Sequence, residues 1–300
     1  MTDLFKSGYA SIVGRPNVGK STLLNCLMAK KVAVTSNRPQ TTRNKITGVL
    51  HLPGAQIILV DTPGIHQSDR TLNEMMVRAS VSTFSDVDLL LVMLSAESGF
   101  CVEDEFVLNS MRGVKTKKVL VINKVDLVDK TNLLILMDEM NQKSLFEEII
   151  PISALKEDGL NQLKSLIINY LPEGPEYFPK DMDTDCPETF LFGELIREKI
   201  LKLTRFEIPH SVAVVVEDMY EQNNGVVQID ATIYAEKDSQ KKILIGERGS
   251  MLKNIGRQAR QDIEKRIGAK IFLKLFVKVK ANWRDQKKTI KEFGYTHDSF

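Results

Sequence analysis

Gly14-Arg15-Pro16-Asn17-Val18-Gly19-Lys20-Ser21 fits the pattern Gly-x-x-x-x-Gly-Lys-Ser. Such a loop curls its backbone so that successive N–H groups point inward at phosphate oxygens. The Lys20 ammonium is placed to reach β- and γ-phosphates, and the Ser21 hydroxyl to ligate Mg²⁺. Thr22 follows in the helix that this loop opens, whose N-terminus adds positive partial charge. About forty residues after Lys20, Asp61-Thr62-Pro63-Gly64 offers a carboxylate suited to Mg²⁺ through its water shell. The Gly64 N–H can approach a γ-phosphate without side-chain interference. Asn123-Lys124-Val125-Asp126 brings a second carboxylate. Asp126 can accept two hydrogen bonds from the N1–H and 2-amino groups of guanine; adenine offers neither donor, so the site selects GTP and GDP. Ser153-Ala154-Leu155 adds a backbone N–H for the guanine O6.

A further loop, Ser36–Arg43, contains Pro39-Gln40-Thr41-Thr42-Arg43. One threonine there can cap Mg²⁺ while a γ-phosphate is present and release the loop after hydrolysis. By position before the arginine, Thr42 is chosen over Thr41. Lys20, Thr42 and Gly64 are therefore the candidate catalytic groups. Ras-like enzymes place a water-orienting Gln directly after the Asp-x-x-Gly glycine. Here that position is Ile65, which neither donates nor accepts; Gln67 stands two positions too late, and His66 reads as a loop histidine. Slow intrinsic hydrolysis is expected. Asn17 is similar to the loop asparagine of GTPases that use K⁺ in place of an arginine finger, so K⁺ stimulation is a second expectation beside Mg²⁺.

The net charge of +2 conceals an asymmetry. Residues 1–236 carry 24 Lys and Arg against 32 Asp and Glu, whereas residues 237–300 carry 17 against 7. A basic last fifth on an acidic body points to a polyanion. Within it, Gly246-Glu247-Arg248-Gly249 is a Gly-x-x-Gly loop between two helical segments, followed by Lys253, Arg257 and Arg260 on one helix. In KH domains such a loop clamps the backbone of single-stranded nucleotides; a helix-turn-helix corner is the rival reading. Glu247 weakens phosphate contact and leaves more to Arg248. Phe272 and Phe276 share the even-numbered positions of a strand with Lys274, Lys278 and Lys280. They read as stacking platforms or as a core layer under the helix, the core layer being preferred. Trp283 reads as a packing anchor in preference to a base-stacking ring.

The elements that must position these groups follow from periodicity. Up to about residue 171, short apolar strands (9–13, 46–50, 56–61, 89–94, 118–123, 149–153) alternate with helices starting near Lys20, Leu72, Glu103, Asn132 and Leu160. Continuous Val/Ile/Leu runs fit strands covered on both faces, and the alternation predicts a mostly parallel, doubly wound α/β sheet. The phosphate and base motifs all fall at strand ends, where such sheets bind ligands. A Pro- and acid-rich stretch, 173–188, reads as a linker between domains 1–172 and 189–300; Asp181, Asp183 and Asp185 within it lack the glycine and distal Glu of a calcium loop. The last domain is α+β. At 43% hydrophobic and 27% charged residues the chain is globular, not disordered. Three scattered cysteines (Cys26, Cys101, Cys186) form neither a disulfide framework nor a metal site. No secretory pattern opens the chain, and its longest apolar runs are of strand length.

With Ala259-Arg260-Gln261-Asp262-Ile263-Glu264, Val277-Lys278-Val279-Lys280 and Trp283-Arg284-Asp285 after the Gly-x-x-Gly loop, and Pro39–Arg43 upstream, the chain resembles the Era family of bacterial GTPases from end to end. The resemblance implies a P-loop GTPase domain followed by a type II KH domain. It also implies binding near the 3′ end of small-subunit (16S) ribosomal RNA and a part in maturation of the 30S subunit. The expected setting is cytoplasmic with loose inner-membrane association, for a monomer that binds no DNA. The competing reading is a membrane-surface regulatory GTPase whose basic domain docks on anionic lipid. A tRNA-modification GTPase would need a C-terminal Cys or a folate-binding partner domain.

Overall fold

The computed structural model describes residues 5–36, 38, 41–66, 70–223 and 225–295. The chain divides principally at Asp185/Cys186 into two units. Pro39, Gln40 and Gln67 of the motifs above, with Asn224, lie outside the described residues.

The first unit is built on six strands: β1 (Lys6–Val13), β2 (Ile46–Leu52), β3 (Ala55–Asp61), β4 (Leu89–Ser95), β5 (Lys117–Asn123) and β6 (Glu148–Pro151). Their order across the sheet is β2-β3-β1-β4-β5-β6. All neighbours are parallel except β2 and β3, a hairpin closed by Pro53-Gly54. Helices α1 (Lys20–Met28), α2 (Thr71–Ser82), α3 (Val102–Ser110) and α4 (Lys130–Gln142) connect the strands, and α5 (Leu160–Tyr170) follows the last. Strands β3 and β4 are buried along their whole length, around the apolar runs Ile57–Val60 and Leu89–Leu94. Strand order reverses beside β1, so the crevice beyond its C-terminal end opens at Gly14.

The stretch read as a linker is a strap bound to this unit as far as Asp185. Buried Gln56 on β3 accepts from the N–H groups of Tyr177 (2.7 Å) and Phe178 (3.1 Å) and donates to the Phe178 carbonyl (2.7 Å). Ser7 donates to the Pro175 carbonyl at 2.6 Å, and Val49 N–H on the edge strand β2 donates to the Asp183 carbonyl at 2.8 Å. Asp183 pairs with Lys30 at 2.7 Å, and Asp185 is hydrogen-bonded to Thr47. Asp183 and Asp185 thus serve a docked strap, and no group of three or more His, Cys, Asp or Glu side chains that could hold a metal occurs among the described residues. Composition marks this stretch as aperiodic; it cannot show that a buried glutamine on a strand receives it.

The second unit has α6 (Glu188–Leu203), the short α7 (Ile208–Ser211), β7 (Ala213–Glu221), β8 (Val227–Ala235), α8 (Asp238–Ile245), α9 (Ser250–Ile267), β9 (Ile271–Val279) and α10 (Lys287–Glu292). The sheet order is β7-β8-β9, with β7/β8 antiparallel and β8/β9 parallel. Helix α9 buries Ile255, Ala259 and Ile263, one stripe at four-residue spacing, and exposes Lys253, Arg257, Arg260 and Lys265 away from it. Trp283 is fully buried, its indole N–H donating to the Ser211 carbonyl at 2.9 Å and its ring lying against Phe293 and Tyr295. It is the packing anchor expected.

One expectation fails here. Phe272 and Phe276 are 55% and 44% exposed and form no core layer. The helices cover the odd-numbered face of β9, so the even-numbered rings face out with the lysines. Alternation identifies two sets of residues on a strand, but not which set a helix will cover.

Candidate functional site

Two concavities, one in each unit, carry many of the motif residues; Asp126 and Ser153, Ala154 and Leu155 line neither. The first, of about 450 Å³, is lined by Pro16, Asn17, Gly19, Lys20, Ser21 and Thr22, with Thr41, Thr42, Gly64 and Lys124. Its floor is the turn from β1 into α1. Gly19 is left-handed (φ 105°), and a Cβ there would overlap the Asn123 amide, so the turn requires glycine. No side chain caps the start of α1, which leaves its first N–H groups to face a ligand. The Lys20 ammonium donates to the Gly14 and Arg15 carbonyls, 2.9 Å each. Burial lowers its pKa to about 8, against the attraction of Asp61.

The three groups assigned to a metal converge. Ser21 Oγ donates to Asp61 Oδ2 at 2.6 Å and lies 2.7 Å from Thr42 Oγ1, which donates to the same oxygen at 3.3 Å. Burial pushes the Asp61 carboxyl up to about 6, against the pull of the Lys20 ammonium and the two hydroxyl donors. Its other oxygen, Oδ1, is buried with no hydrogen-bond partner among the described residues. Two hydroxyls and a carboxylate with an orphaned oxygen make an all-oxygen donor set that fits Mg²⁺. Thr41 Oγ1 is turned elsewhere, donating to the Arg38 carbonyl at 2.6 Å. Thr62 also faces inward, its hydroxyl donating to the Ile12 carbonyl at 2.8 Å.

Ile65 is fully buried in a cluster with Val13, Phe84, Leu90 and Val92, and its N–H donates to the Gly14 carbonyl at 3.2 Å. Its side chain is part of the core and does not enter the cleft. His66 Nδ1 lies 2.9 Å from the Gly64 carbonyl.

Around the base motif, Asn123 acts as a cross-brace. Its amide donates to the Val18 carbonyl at 2.8 Å and its oxygen accepts from Ala154 N–H at 2.9 Å, tying the phosphate loop to the 153–155 loop. The Asp126 carboxylate is exposed and held by the Ser153 hydroxyl at 2.6 Å. Leu155 is 75% exposed. Sequence reasoning missed two groups. Glu97 lines the cleft and pairs with Lys124 at 2.9 Å. Asp104 on α3, buried, holds the Arg15 guanidinium at 3.0 Å. Glu97 stands two residues beyond β4, so the strand-end rule could have found it; nothing in the sequence marks Asp104.

The second concavity, of about 480 Å³, lies between the Gly-x-x-Gly loop, α9 and β9. Arg248, Gly249, Lys253, Arg257 and Arg260 line it, together with Phe272 and the Leu273–Leu275 edge. Glu247 and Arg248 are exposed at the loop tip. The two glycines differ. A Cβ on Gly246 would meet Met251 at 2.7 Å, whereas one on Gly249 meets nothing within 4 Å. Gly246 is thus required by packing, while Gly249 keeps the approach to the helix start open. A cationic groove with an apolar floor suits a phosphodiester chain whose bases turn inward.

A family model described as 50S ribosome-binding GTPase matches residues 9–124, and a KH domain model matches residues 207–284. The chain is 48% identical to the GTPase Era of Geotalea daltonii over 97% of its length and 98% of that protein's. It is 49% identical to the GTPase Era of Syntrophus aciditrophicus over 97% and 96%. Among solved structures, a tyrosine-to-alanine variant of Aquifex aeolicus Era bound to GDP and AlF4⁻ superposes with TM-score 0.95 at 40% identity, over 97% of this chain and 100% of that one. An Era in complex with MgGDPNP and nucleotides 1506–1542 of 16S ribosomal RNA gives the same TM-score and identity over 97% and 99%.

Proposed function

The chain belongs to the Era family of GTPases, and from that premise we propose that it is a switch whose GTP-bound form grips the 3′ region of 16S ribosomal RNA and assists maturation of the 30S subunit. Its reaction is hydrolysis of GTP to GDP and phosphate. The phosphate-loop N–H groups and Lys20 hold the β- and γ-phosphates where negative charge builds during transfer. Ser21, Thr42 and Asp61 would hold Mg²⁺, which supplies charge neutralisation between those phosphates when bound. Gly64 brings an N–H to the γ-phosphate. The Asp126 carboxylate, fixed by Ser153, reads the guanine edge, and the Glu97–Lys124 pair borders the base. With Ile65 packed in the core, no side chain at that position orients the attacking water, so intrinsic turnover is slow. K⁺ beside Asn17 is a further proposed accelerator; equal turnover in Na⁺ and K⁺ buffers rejects it.

The observation that carries the switch is Thr42 joined to Ser21 and Asp61. Thr42 lies four residues before β2, and β2 holds the strap at Asp183, which leads by continuous chain to the second unit. A γ-phosphate and Mg²⁺ engaging Thr42 there would therefore act on the strand carrying that strap. The solved complex with MgGDPNP and 16S ribosomal RNA supports assigning RNA binding to the GTP state. The basic groove supports the RNA reading, and peripheral attachment of a cytoplasmic protein to the inner membrane is its lipid counterpart. Among the described residues no helix is long and apolar enough to cross a membrane.

Retention of the 1506–1542 RNA by the full chain tests the RNA assignment, beside acidic vesicles across a salt series. Gly249→Asp is the informative variant, because its side chain meets open space and Asp tolerates left-handed backbone. The expected result is an RNA affinity lowered about tenfold or more, with GTP turnover unchanged. Unchanged RNA affinity, or wild-type retention of vesicles and not RNA, overturns the reading.

A further inference from the structure

The face of the β7-β8-β9 sheet opposite α9 carries a strip that, beyond Phe272 at the rim of the Gly-x-x-Gly groove, neither the GTP cleft nor that clamp accounts for. Phe272, Lys274, Phe276 and Lys278 point out of β9 on this face, and two large rings are left about half exposed. Register places Phe272 level with Gln228 of β8 and, across it, Tyr220 of β7, itself 46% exposed. Phe276 is level with Thr232, and Lys278 with Tyr234. At that end Tyr234 stacks on Phe293, which follows α10, with ring centroids 4.4 Å apart. The Phe272–Phe276 end carries no such cover among the described residues. The Lys274 ammonium sits 5.0 Å from the Phe276 centroid and 3.7 Å from Asp230, so it braces the strip more than it adds charge.

The strip is continuous with the groove. Phe272 lines the groove beside Arg257 and Arg260 and also begins the open face. Chain leaving the groove over the β9 edge therefore meets Phe272, then Phe276, about 13 Å further along at four residues of strand rise. We propose that this face is a second contact surface for single-stranded RNA, where bases beyond the clamp stack on Phe272 and Phe276 while Lys278 and Lys280 meet phosphates. The inference rests on the RNA reading of the second unit. Flat rings interleaved with lysines fit the two parts of a nucleotide, the π-face of its base and its phosphate. An anionic bilayer fits less well. These rings stand on a strand level with Asp218 and Asp230, whose charges repel an anionic plane but not a single thread kept to the β9 edge.

The test uses the full chain with two RNAs: nucleotides 1506–1542 of 16S ribosomal RNA, and the shortest piece of it that still binds in a Gly249-dependent way. Phe276→Ala is expected to weaken the long RNA about tenfold, at the low end of what one stacked base contributes, and to leave the short piece unchanged. Phe276→Trp restores binding of the long RNA, whereas Phe276→Leu, apolar but not flat, does not. Gly249→Asp weakens both RNAs. Phe276 is exposed, so unchanged urea midpoints are expected and establish that the variants fold. If Phe276→Ala binds the long RNA as wild type does while Gly249→Asp fails, the inference falls and the RNA reading stands. Equal loss on both RNAs, or a loss confined to acidic vesicles, also overturns the inference. Failure of wild type to retain either RNA removes both.

Discussion

Replacing Asp61 by Asn should stabilise the nucleotide-free protein while disabling its metal site. The carboxyl is fully buried, and its pKa rises from 3.8 to about 6 because burial outweighs Lys20, Ser21 and Thr42. A carboxyl whose pKa rises on folding binds more protons folded than unfolded. Its contribution is full below pH 3.8 and lost as pH climbs through about 6. At pH 7 keeping it ionised costs about 3 kcal/mol, at 1.36 kcal/mol for each pKa unit. The attraction of Lys20 is already contained in the raised value and is not subtracted again. The introduced amide stands in for the neutral acid, so the variant gains about 2–3 kcal/mol at pH 7 and almost nothing at pH 4. With m near 2 kcal/mol/M, the urea midpoint moves up by about 1–1.5 M. Far-UV circular dichroism follows the transition; Trp283, the sole tryptophan, reports the second unit and should not shift. Adding Mg²⁺ and GTP should reverse the order, because ligand then stabilises wild type preferentially. A variant no more stable than wild type at pH 7 without nucleotide, or a gain equally large at pH 4, refutes this reasoning.

Three further outcomes are expected. Asp126→Asn should lower GTP affinity by at least about a hundredfold and raise that for xanthosine triphosphate, because the amide donates to the carbonyl that replaces guanine's 2-amino group; competition binding of the two nucleotides measures it, and retained guanine preference contradicts it. Gln56→Ala should cost about 3 kcal/mol by abandoning three hydrogen bonds to the strap, read as a lower urea midpoint and faster proteolytic nicking near Tyr177 and Phe178; unaltered cleavage contradicts the docked strap. Ile65→Gln should destabilise the first unit by about 2 kcal/mol, since it puts an amide among Val13, Phe84 and Leu90, and should not raise phosphate release; a faster enzyme of unchanged stability contradicts the packing role.

The phosphate and base motifs are legible because their spacing and their places at strand ends are dictated by what they must touch. Gly14–Ser21, Asp61–Gly64 and Asn123–Asp126 all follow or end strands read from apolar runs. The choice of Thr42 rests on position alone, and the structure places its hydroxyl, not that of Thr41, beside Ser21 and Asp61. What stays hidden depends on tertiary neighbours. The strap looks like a linker because nothing local signals that Gln56, far upstream, receives its backbone. Asn123 serves two loops that sequence cannot bring together. Phe272 and Phe276 fall on the side of β9 opposite to the one expected, because a period of two leaves the covered face open.

The proposed switch depends on one coupling, between the γ-phosphate held with Thr42 and the RNA grip of the second unit. Titration of the 1506–1542 RNA into the full chain, saturated with Mg²⁺ and either GDP or a non-hydrolysable GTP analogue, measures it directly. About tenfold tighter binding with the analogue is expected, which is about 1.4 kcal/mol of coupling. RNA affinity equal in the two nucleotide states, or tighter with GDP, contradicts it.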